Sequence, residues 1–317
     1  NISQEALSFA KKTQLSDYLD ILNLRAQYYY NHSNHRDALK DCLLFLDQER
    51  QHPKTSQIYY TLGQIHFSKQ QHKAAFESYS KVIEKSADST LSLFIIQQSL
   101  DFAIQNNQSY SILKQVEALF TTALQNAKFC QKAQDFINIE TVLSYSNILK
   151  EKNTLSASFK KAFETYLTQL SPKHKARAQV IQQIYIADAL SLKPEEQTNA
   201  LKLYNSIIAT LPLEDKLAQQ TRLKVALLAD TPQVAIEQYL YIYYAFQNGK
   251  QNYSDTALLI QAIQNVLPLL KQEKRNDFAE KILSQIKNKI SAKELNDLQQ
   301  QWQKITKWNT FSYQASF

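Results

Sequence analysis

The sequence predicts an all-α fold built as a row of helix hairpins, and three observations carry that prediction. The 317 residues include two glycines, Gly63 and Gly249, and six prolines. Strand-rich and α/β folds use glycine at turns with positive φ, so this count excludes them. Leu, Ala, Gln, Lys and Glu are abundant, and all favour helix. Small residues also recur at hairpin-sized intervals: Ala38 and Ala75 lie 37 residues apart, Ala200 and Ala235 lie 35 apart, and Ala279 follows after 44. A row of hairpins accounts for a chain that is long for one compact core, because each unit buries its face on the next.

The most regular stretch is 56–89. Its spacing predicts helices over 55–69 and 72–85 with a turn around 70–72. Gly63 and Ala75 stand where two backbones cross closely, and Tyr59, Leu62, Tyr79, Val82 and Ala87 cover a neighbouring pair. This skeleton resembles a tetratricopeptide (TPR) repeat, a helix–turn–helix unit of about 34 residues. The resemblance is strongest over 19–89 and 176–247. It implies a right-handed α-solenoid of about seven TPR-like helix-turn-helix repeats with a C-terminal capping helix. The expected organisation is one array over 1–308, with a sub-boundary at 171–178 and a tail, disordered or leading into a further domain, at 309–317.

The elements are expected in this order. Residues 2–12 read as a helix with Ile2, Ala6, Phe9 and Ala10 on one face, either the second half of a truncated repeat or a cap. Repeat one, 15–48, has Leu22, Ala26, Tyr29, Ala38, Cys42 and Phe45 as its skeleton and a turn at 31–34. Its polar linker, 48–54, absorbs three extra residues, which costs little. Repeat two is the regular stretch above. Repeat three, 89–127, keeps Leu100, Ala103, Phe120 and Ala123 but places Val116 at the small position, with a turn at 106–109. Repeat four, 131–170, carries Val142, Tyr145, Leu149, Phe159, Phe163 and Tyr166. A linker is expected at 171–178, marked by Pro172, Lys173, His174, Lys175 and Arg177.

Repeat five, 176–211, holds Ile184, Ala187, Ala200, Tyr204 and Ile207, with Pro194 at a helix start. Repeat six, 214–247, holds Leu223, Ala226, Ala235, Tyr239 and Ile242, and Asp230, Thr231 and Pro232 cap its second helix. Repeat seven, 254–290, holds Ile263, Val266, Leu270, Ala279, Leu283 and Ile286. A final helix over 291–308 has Leu295, Leu298, Trp302 and Ile305 on one face and a polar opposite face, which suits a cap.

The formal net charge is +7. It is spread out: residues 1–50 carry six basic against seven acidic side chains, and 251–317 carry nine against six. A nucleic-acid binder gathers such an excess on one face, so no nucleic-acid partner is expected. Cys42 and Cys130 lie in non-adjacent repeats and read as packing residues rather than a disulfide. The longest apolar run, 239–246, is eight residues, well short of the roughly 18 a membrane span requires. No signal peptide is visible, and the reading favours a soluble cytoplasmic chain over an extracytoplasmic domain. The chain starts at Asn1 and contains no Met, which predicts a processed or excised piece.

No motif for chemistry stands out. Two glycines leave no phosphate-cradling loop and no G-x-S-x-G elbow, and neither H-E-x-x-H nor C-x-x-C occurs. No enzyme activity, cofactor or metal is expected. Five of the six histidines lie between 32 and 72, and His35 and His72 occupy equivalent turns, with His32 and His66 near. Without a carboxylate or thiol at fixed spacing they read as turn residues. Of the 18 tyrosines, seven crowd two helices, Tyr28, Tyr29 and Tyr30 in one and Tyr239, Tyr241, Tyr243 and Tyr244 in the other, and since consecutive positions point around a helix not all of them can be core. They serve packing between repeats or an interface.

In TPR proteins the first helix of each repeat lines a concave groove that holds an extended peptide or a partner helix. The resemblance therefore implies a groove lined by Asn23, Gln27 and Tyr30 from repeat one, Tyr60, Gln64 and Phe67 from repeat two, and Asp101 and Gln105 from repeat three. Amide side chains both donate and accept, which suits a peptide backbone. The groove lysine by which chaperone-binding relatives clamp a terminal carboxylate is absent here. The leading expectation is a non-catalytic scaffold or adaptor that binds protein or peptide. The alternative is a ligand- or peptide-responsive sensor domain of a longer signalling protein.

Overall fold

A computed structural model describes residues 15–48, 51–87, 89–248 and 256–312. All the regular structure among them is helical. The chain forms α1 (Leu15–Asn31), α2 (His35–Gln48), α3 (Thr55–Ser68), α4 (His72–Ser86), α5 (Thr90–Gln105), α6 (Tyr110–Leu124), α7 (Ala127–Phe136), α8 (Ile139–Glu151) and α9 (Ala157–Gln169). These are followed by α10 (Pro172–Ser191), a 3-10 turn (Pro194–Glu196), α11 (Gln197–Thr210), α12 (Lys216–Leu227), α13 (Pro232–Asn248), α14 (Thr256–Gln272), α15 (Asn276–Gln285) and α16 (Ala292–Ser312). The contacts divide the chain into two compact units, Asn1–Gln179 and Val180–Phe317.

In the first unit α1 packs on α2, α3 on α4 and α5 on α6, and each hairpin leans on its neighbour through α1 with α3, α2 with α3 and α4 with α6. The small residues sit at the crossings as expected: Ala38 and Ala75 are fully buried. Gly63 faces Tyr79 so closely that an added Cβ would lie 2.3 Å from the ring. The hairpins turn without glycine. Ser33, Gln70 and Asn153 adopt φ between 53° and 59°, each just after a first helix ends. This left-handed conformation costs an L-residue roughly 1–2 kcal/mol. The turn is held by backbone bonds, such as Gln71 N donating to the His66 carbonyl at 2.9 Å.

Helix starts follow side-chain caps. Ser89, Ser109, Asn126, Asn138 and Ser156 each accept a backbone N–H from the first turn that follows, worth about 1 kcal/mol apiece. Two buried ionic nodes brace the unit. Arg25 donates from Nε and Nη2 to the two oxygens of Asp41, at 2.6 and 2.5 Å, and Asp41 is 1% exposed. Buried Glu117 takes the Lys114 ammonium at 2.9 Å and the Ser156 N–H at 2.6 Å, and Lys114 also donates to the Thr154 carbonyl. The α8–α9 loop is thereby tied to α6, as Tyr145 ties α8 by donating to the Leu113 carbonyl at 2.6 Å.

In the second unit Ala200 and Ala235 are again buried at crossings, within clusters that include Ala187, Tyr204 and Val225 and then Tyr239, Ile242, Ile263, Val266, Leu270 and Ala279. Asp188 binds the α10, α11 and α12 helices together: the Tyr204 hydroxyl and the Lys224 ammonium both donate to it at 2.6 Å. Lys274 provides the left-handed turn residue before α15, at φ 58°. α16 closes the unit with Leu298 and Trp302 buried. It begins with a capping box, in which Ser291 Oγ accepts from Glu294 N at 3.2 Å and Glu294 Oε2 accepts from Ser291 N at 2.8 Å.

The described residues thus contain seven helix hairpins and a final helix, with three departures from expectation. The basic stretch 171–178 is no linker: α10 begins at Pro172, a residue whose fixed φ and missing N–H suit a first helical position. Arg177 there pairs with Glu140 at 2.6 Å. Repeat four does not begin at 131, because an extra ten-residue helix, α7, runs between two asparagine caps. α16 continues past 308 to Ser312, so the first part of the expected tail is helical. The two tyrosine clusters are split as helical geometry requires: Tyr239 and Tyr243 are buried, while Tyr241, Tyr244 and Tyr28 are exposed. The expected helix at 2–12, the glycine-containing segment 249–255 and residues 313–317 lie outside the described residues.

Candidate functional site

The first helices of successive hairpins, α1, α3 and α5, present a continuous row of amide and phenol groups. Equivalent positions in hairpins one and two are 37 residues apart, yet the hydrogen bonds link residues 34 apart, one helical turn short of the repeat. Asn23 Nδ2 donates to Gln57 Oε1 at 2.9 Å, and the Tyr30 hydroxyl donates to Gln64 Oε1 at 3.3 Å. The row continues within hairpins: Gln27 Nε2 donates to Asn23 Oδ1 at 3.0 Å, and Gln64 Nε2 donates to the Tyr79 hydroxyl at 2.9 Å. The offset of one turn follows from the way side chains lean toward the helix N-terminus and reach a neighbour diagonally.

Two cavities open along this row. The first, about 410 Å³, is walled by Gln27, Tyr30, Tyr60 and Gln64, together with Asn31, Gln57, Thr61 and Leu91. The second, about 350 Å³, is walled by Gln64, Phe67, Asp101 and Gln105, with Tyr79, Gln98 and Phe102. Gln64 belongs to both. Phe67 and Phe102 meet edge to face at 4.7 Å and form the apolar floor between α3 and α5. Among the described residues, no lysine or arginine lines either cavity. The one formal charge is Asp101, whose carboxylate accepts from Gln97 Nε2 at 2.9 Å and from the Thr141 hydroxyl at 3.4 Å. Burial, with the neighbouring Tyr30 second, raises the Tyr60 phenol above its ordinary range. Burial raises Tyr79 further. Both phenols keep their protons and can donate at any physiological pH.

The structure therefore gathers seven of the eight expected groove residues onto the two cavities. Asn23 is the exception. It is 3% exposed, and its bonds to Gln57 and Gln27 place it beneath the surface, where it orients those two amides. The sequence pattern had not singled out Gln57, Leu91, Gln98 or Phe102. Gln57 was discoverable, because it stands 34 residues after Asn23. The α5 residues were not, since the register of α5 against α3 is set by the Phe67–Phe102 contact.

The histidines do not converge. Among the described residues no group of three or more His, Cys, Asp or Glu side chains is placed to hold a metal ion. His35 packs on Tyr30 at 5.6 Å between ring centres, and His72 on Phe67 at 5.2 Å and Phe102 at 5.0 Å. His66 Nδ1 bonds to Gln71 Oε1 at 2.8 Å across its turn. A larger and shallower hollow, about 740 Å³, lies along α2 among Leu39, Leu43, Leu44 and Leu46, with Arg36 and Lys40 at its edge. Its polar lining is Arg36, Lys40, Asp47 and Tyr59, without the amides of the α1–α3–α5 row. No helix among the described residues is long and apolar enough to cross a membrane.

No protein-family model matches the chain, and no curated protein matches its sequence. Among solved structures it is similar to the crystal structure of the P58(IPK) TPR domain, at 15% identity and a TM-score of 0.29, over 92% of this chain and 99% of that one. A superposition of that quality carries no argument, and the hairpin architecture rests on the packing described above.

Proposed function

We propose that the chain is a non-catalytic scaffold that holds a segment of a protein partner, an extended peptide or a helix, against the α1–α3–α5 face. The observation that carries this reading is the pair of adjoining cavities that share Gln64. Amides at Gln27, Gln57, Gln64, Gln98 and Gln105 can each donate and accept, which matches the backbone of an extended segment. Leu91, Phe67 and Phe102 offer apolar walls for its side chains. The absence of basic residues from both cavities argues against clamping a terminal carboxylate, and Asp101 favours a basic side chain on the partner.

The test is site-specific photocrosslinking in the native cell. Benzoylphenylalanine at Tyr60 or Phe67 is expected to trap one discrete protein partner. The same group at exposed Tyr110 on α6 is expected not to trap it. The Tyr60→Ala, Gln64→Ala double variant, crosslinked from position 67, is expected to lose the adduct. An undiminished adduct in the double variant, or equal trapping from position 110, would remove the assignment to this face.

A further inference from the structure

Position by position, hairpin six repeats hairpin one. Arg25, Ala38 and Asp41 correspond to Arg222, Ala235 and Gln238, each 197 residues later. In hairpin one the guanidinium is neutralised: Arg25 makes a forked pair with buried Asp41. In hairpin six the carboxylate has become an amide. Arg222 keeps a single bond, from Nη1 to Gln238 Oε1 at 2.9 Å. Its Nε, the atom that in Arg25 reaches the carboxylate, is buried with no partner.

Arg222 is half-buried, and desolvation lowers its pKa despite the opposing influence of Tyr241 and Glu237. Glu237, exposed on the same α13 helix, makes no ion pair with it. Three other partly buried cations have carboxylates: Lys114 has Glu117, Arg177 has Glu140 and Lys224 has Asp188. Hairpin two shows that the position requires no charge, since the corresponding residues are Leu62 and Ser78. A desolvated cation is costly without an opposite charge, and arginine's planar fork fits a carboxylate.

The surroundings of Arg222 suit a docked segment. The Tyr241 ring lies 4.3 Å from the guanidinium carbon and is 38% exposed. Val234 and Tyr244, also exposed, continue the same stripe of α13 at helical spacing. Tyrosine beside arginine is the pairing that recurs at the centres of protein interfaces.

We propose that the Arg222–Tyr241 edge of the α12–α13 hairpin docks an Asp or Glu side chain from an acidic segment of a protein partner, with Tyr241, Tyr244 and Val234 taking its apolar flank. This site lies within the second unit and does not rest on the α1–α3–α5 reading. The partner's carboxylate supplies the opposite charge that Gln238, standing in Asp41's place, lacks.

The test uses the full chain and a phage-displayed random peptide library, depleted on the Gln238→Glu chain and then selected on the unaltered one. Gln238→Glu places a carboxylate beside Arg222 and fills the fork from within. Recovered peptides are expected to carry Asp or Glu next to an aromatic or aliphatic residue. Synthetic copies with that acid changed to its amide are expected to bind about thirtyfold more weakly or worse, as does loss of one partner of a buried charge pair. Arg222→Leu and Gln238→Glu are expected to abolish binding, while Glu237→Gln is expected to retain it. Both site variants are expected to melt no lower than the unaltered chain, because Arg222→Leu removes the unpaired charge and Gln238→Glu pairs it. The proposal is overturned if no peptide is recovered, if the amide copies bind equally, if binding survives in both site variants, or if a phosphoserine copy displaces the acidic one.

Discussion

The contact between Gly63 and Tyr79 makes a prediction whose sign is informative. Replacing a helical glycine by alanine ordinarily stabilises, by about 0.8–1 kcal/mol, because alanine loses less backbone entropy. At position 63 the new methyl would lie 2.3 and 2.6 Å from two carbons of the Tyr79 ring. Comfortable carbon contacts need about 3.5–4.0 Å, so the ring must retreat by roughly 1 Å or more. It has little room: Tyr79 is 5% exposed, accepts the Gln64 hydrogen bond, and packs against Phe76 at 6.2 Å and Tyr60 at 6.3 Å. Overpacking of this kind costs about 1–3 kcal/mol. Set against the propensity gain, Gly63→Ala is expected to destabilise by roughly 1 kcal/mol. The assay is urea denaturation followed by far-ultraviolet circular dichroism, repeated in a Tyr79→Leu background. Removing the ring removes the collision, so there the same substitution is expected to stabilise by about 1 kcal/mol. If alanine stabilised the unaltered protein by that amount, the close crossing of α3 and α4 would be wrong.

Three further outcomes are expected. Arg25→Leu strands the Asp41 carboxylate in the core and should cost about 3–5 kcal/mol in urea denaturation. Adding Asp41→Ser, which copies Leu62 and Ser78 of hairpin two, should recover most of the loss, and a failure to recover would mean that the cost lies elsewhere. Gln70 sits at φ 58°, so Gln70→Gly should gain up to about 1 kcal/mol, read as a higher urea midpoint. Hydrogen bonds from Ser291 hold the Glu294 carboxyl below its ordinary value of 4.5. A depressed carboxyl stabilises most above that value and loses its contribution as pH falls through the lower folded one. Protection of the amides in the first turn of α16, taken relative to their intrinsic exchange rates, should therefore fall on acidification over that interval, and Glu294→Gln should remove that dependence.

The hairpins were readable because their skeleton depends on local spacing. Ala38, Ala75, Ala200 and Ala235 mark crossings that only a small side chain permits, and all four are buried. The Gly63 contact was legible for the same reason. What escaped depended on distant partners. Lys173, Lys175 and Arg177 look like linker residues, yet they lie in the first turns of α10, where Arg177 finds Glu140, 37 residues earlier. α7 was hidden because its ten residues are too few to show a period; its asparagine caps were the available signal. At the α1–α3–α5 face the sequence indicated which residues point outward, but burial decides the role of Asn23. Whether Phe102 reaches Phe67 depends on how α5 slides along α3, which no single helix encodes. Glycine scarcity excluded strands correctly, but left unstated that Ser33, Gln70, Asn153 and Lys274 take over the left-handed turns.

Gln64 has one carbonyl and one amino group, and it spends the first on Tyr30 and the second on Tyr79. It also forms the partition between the two hollows. Each group keeps one hydrogen-bonding position free, since an amide oxygen accepts two bonds and its nitrogen donates two. On the proposed reading, a segment that spans both hollows finds an acceptor and a donor on the same side chain without displacing either tyrosine.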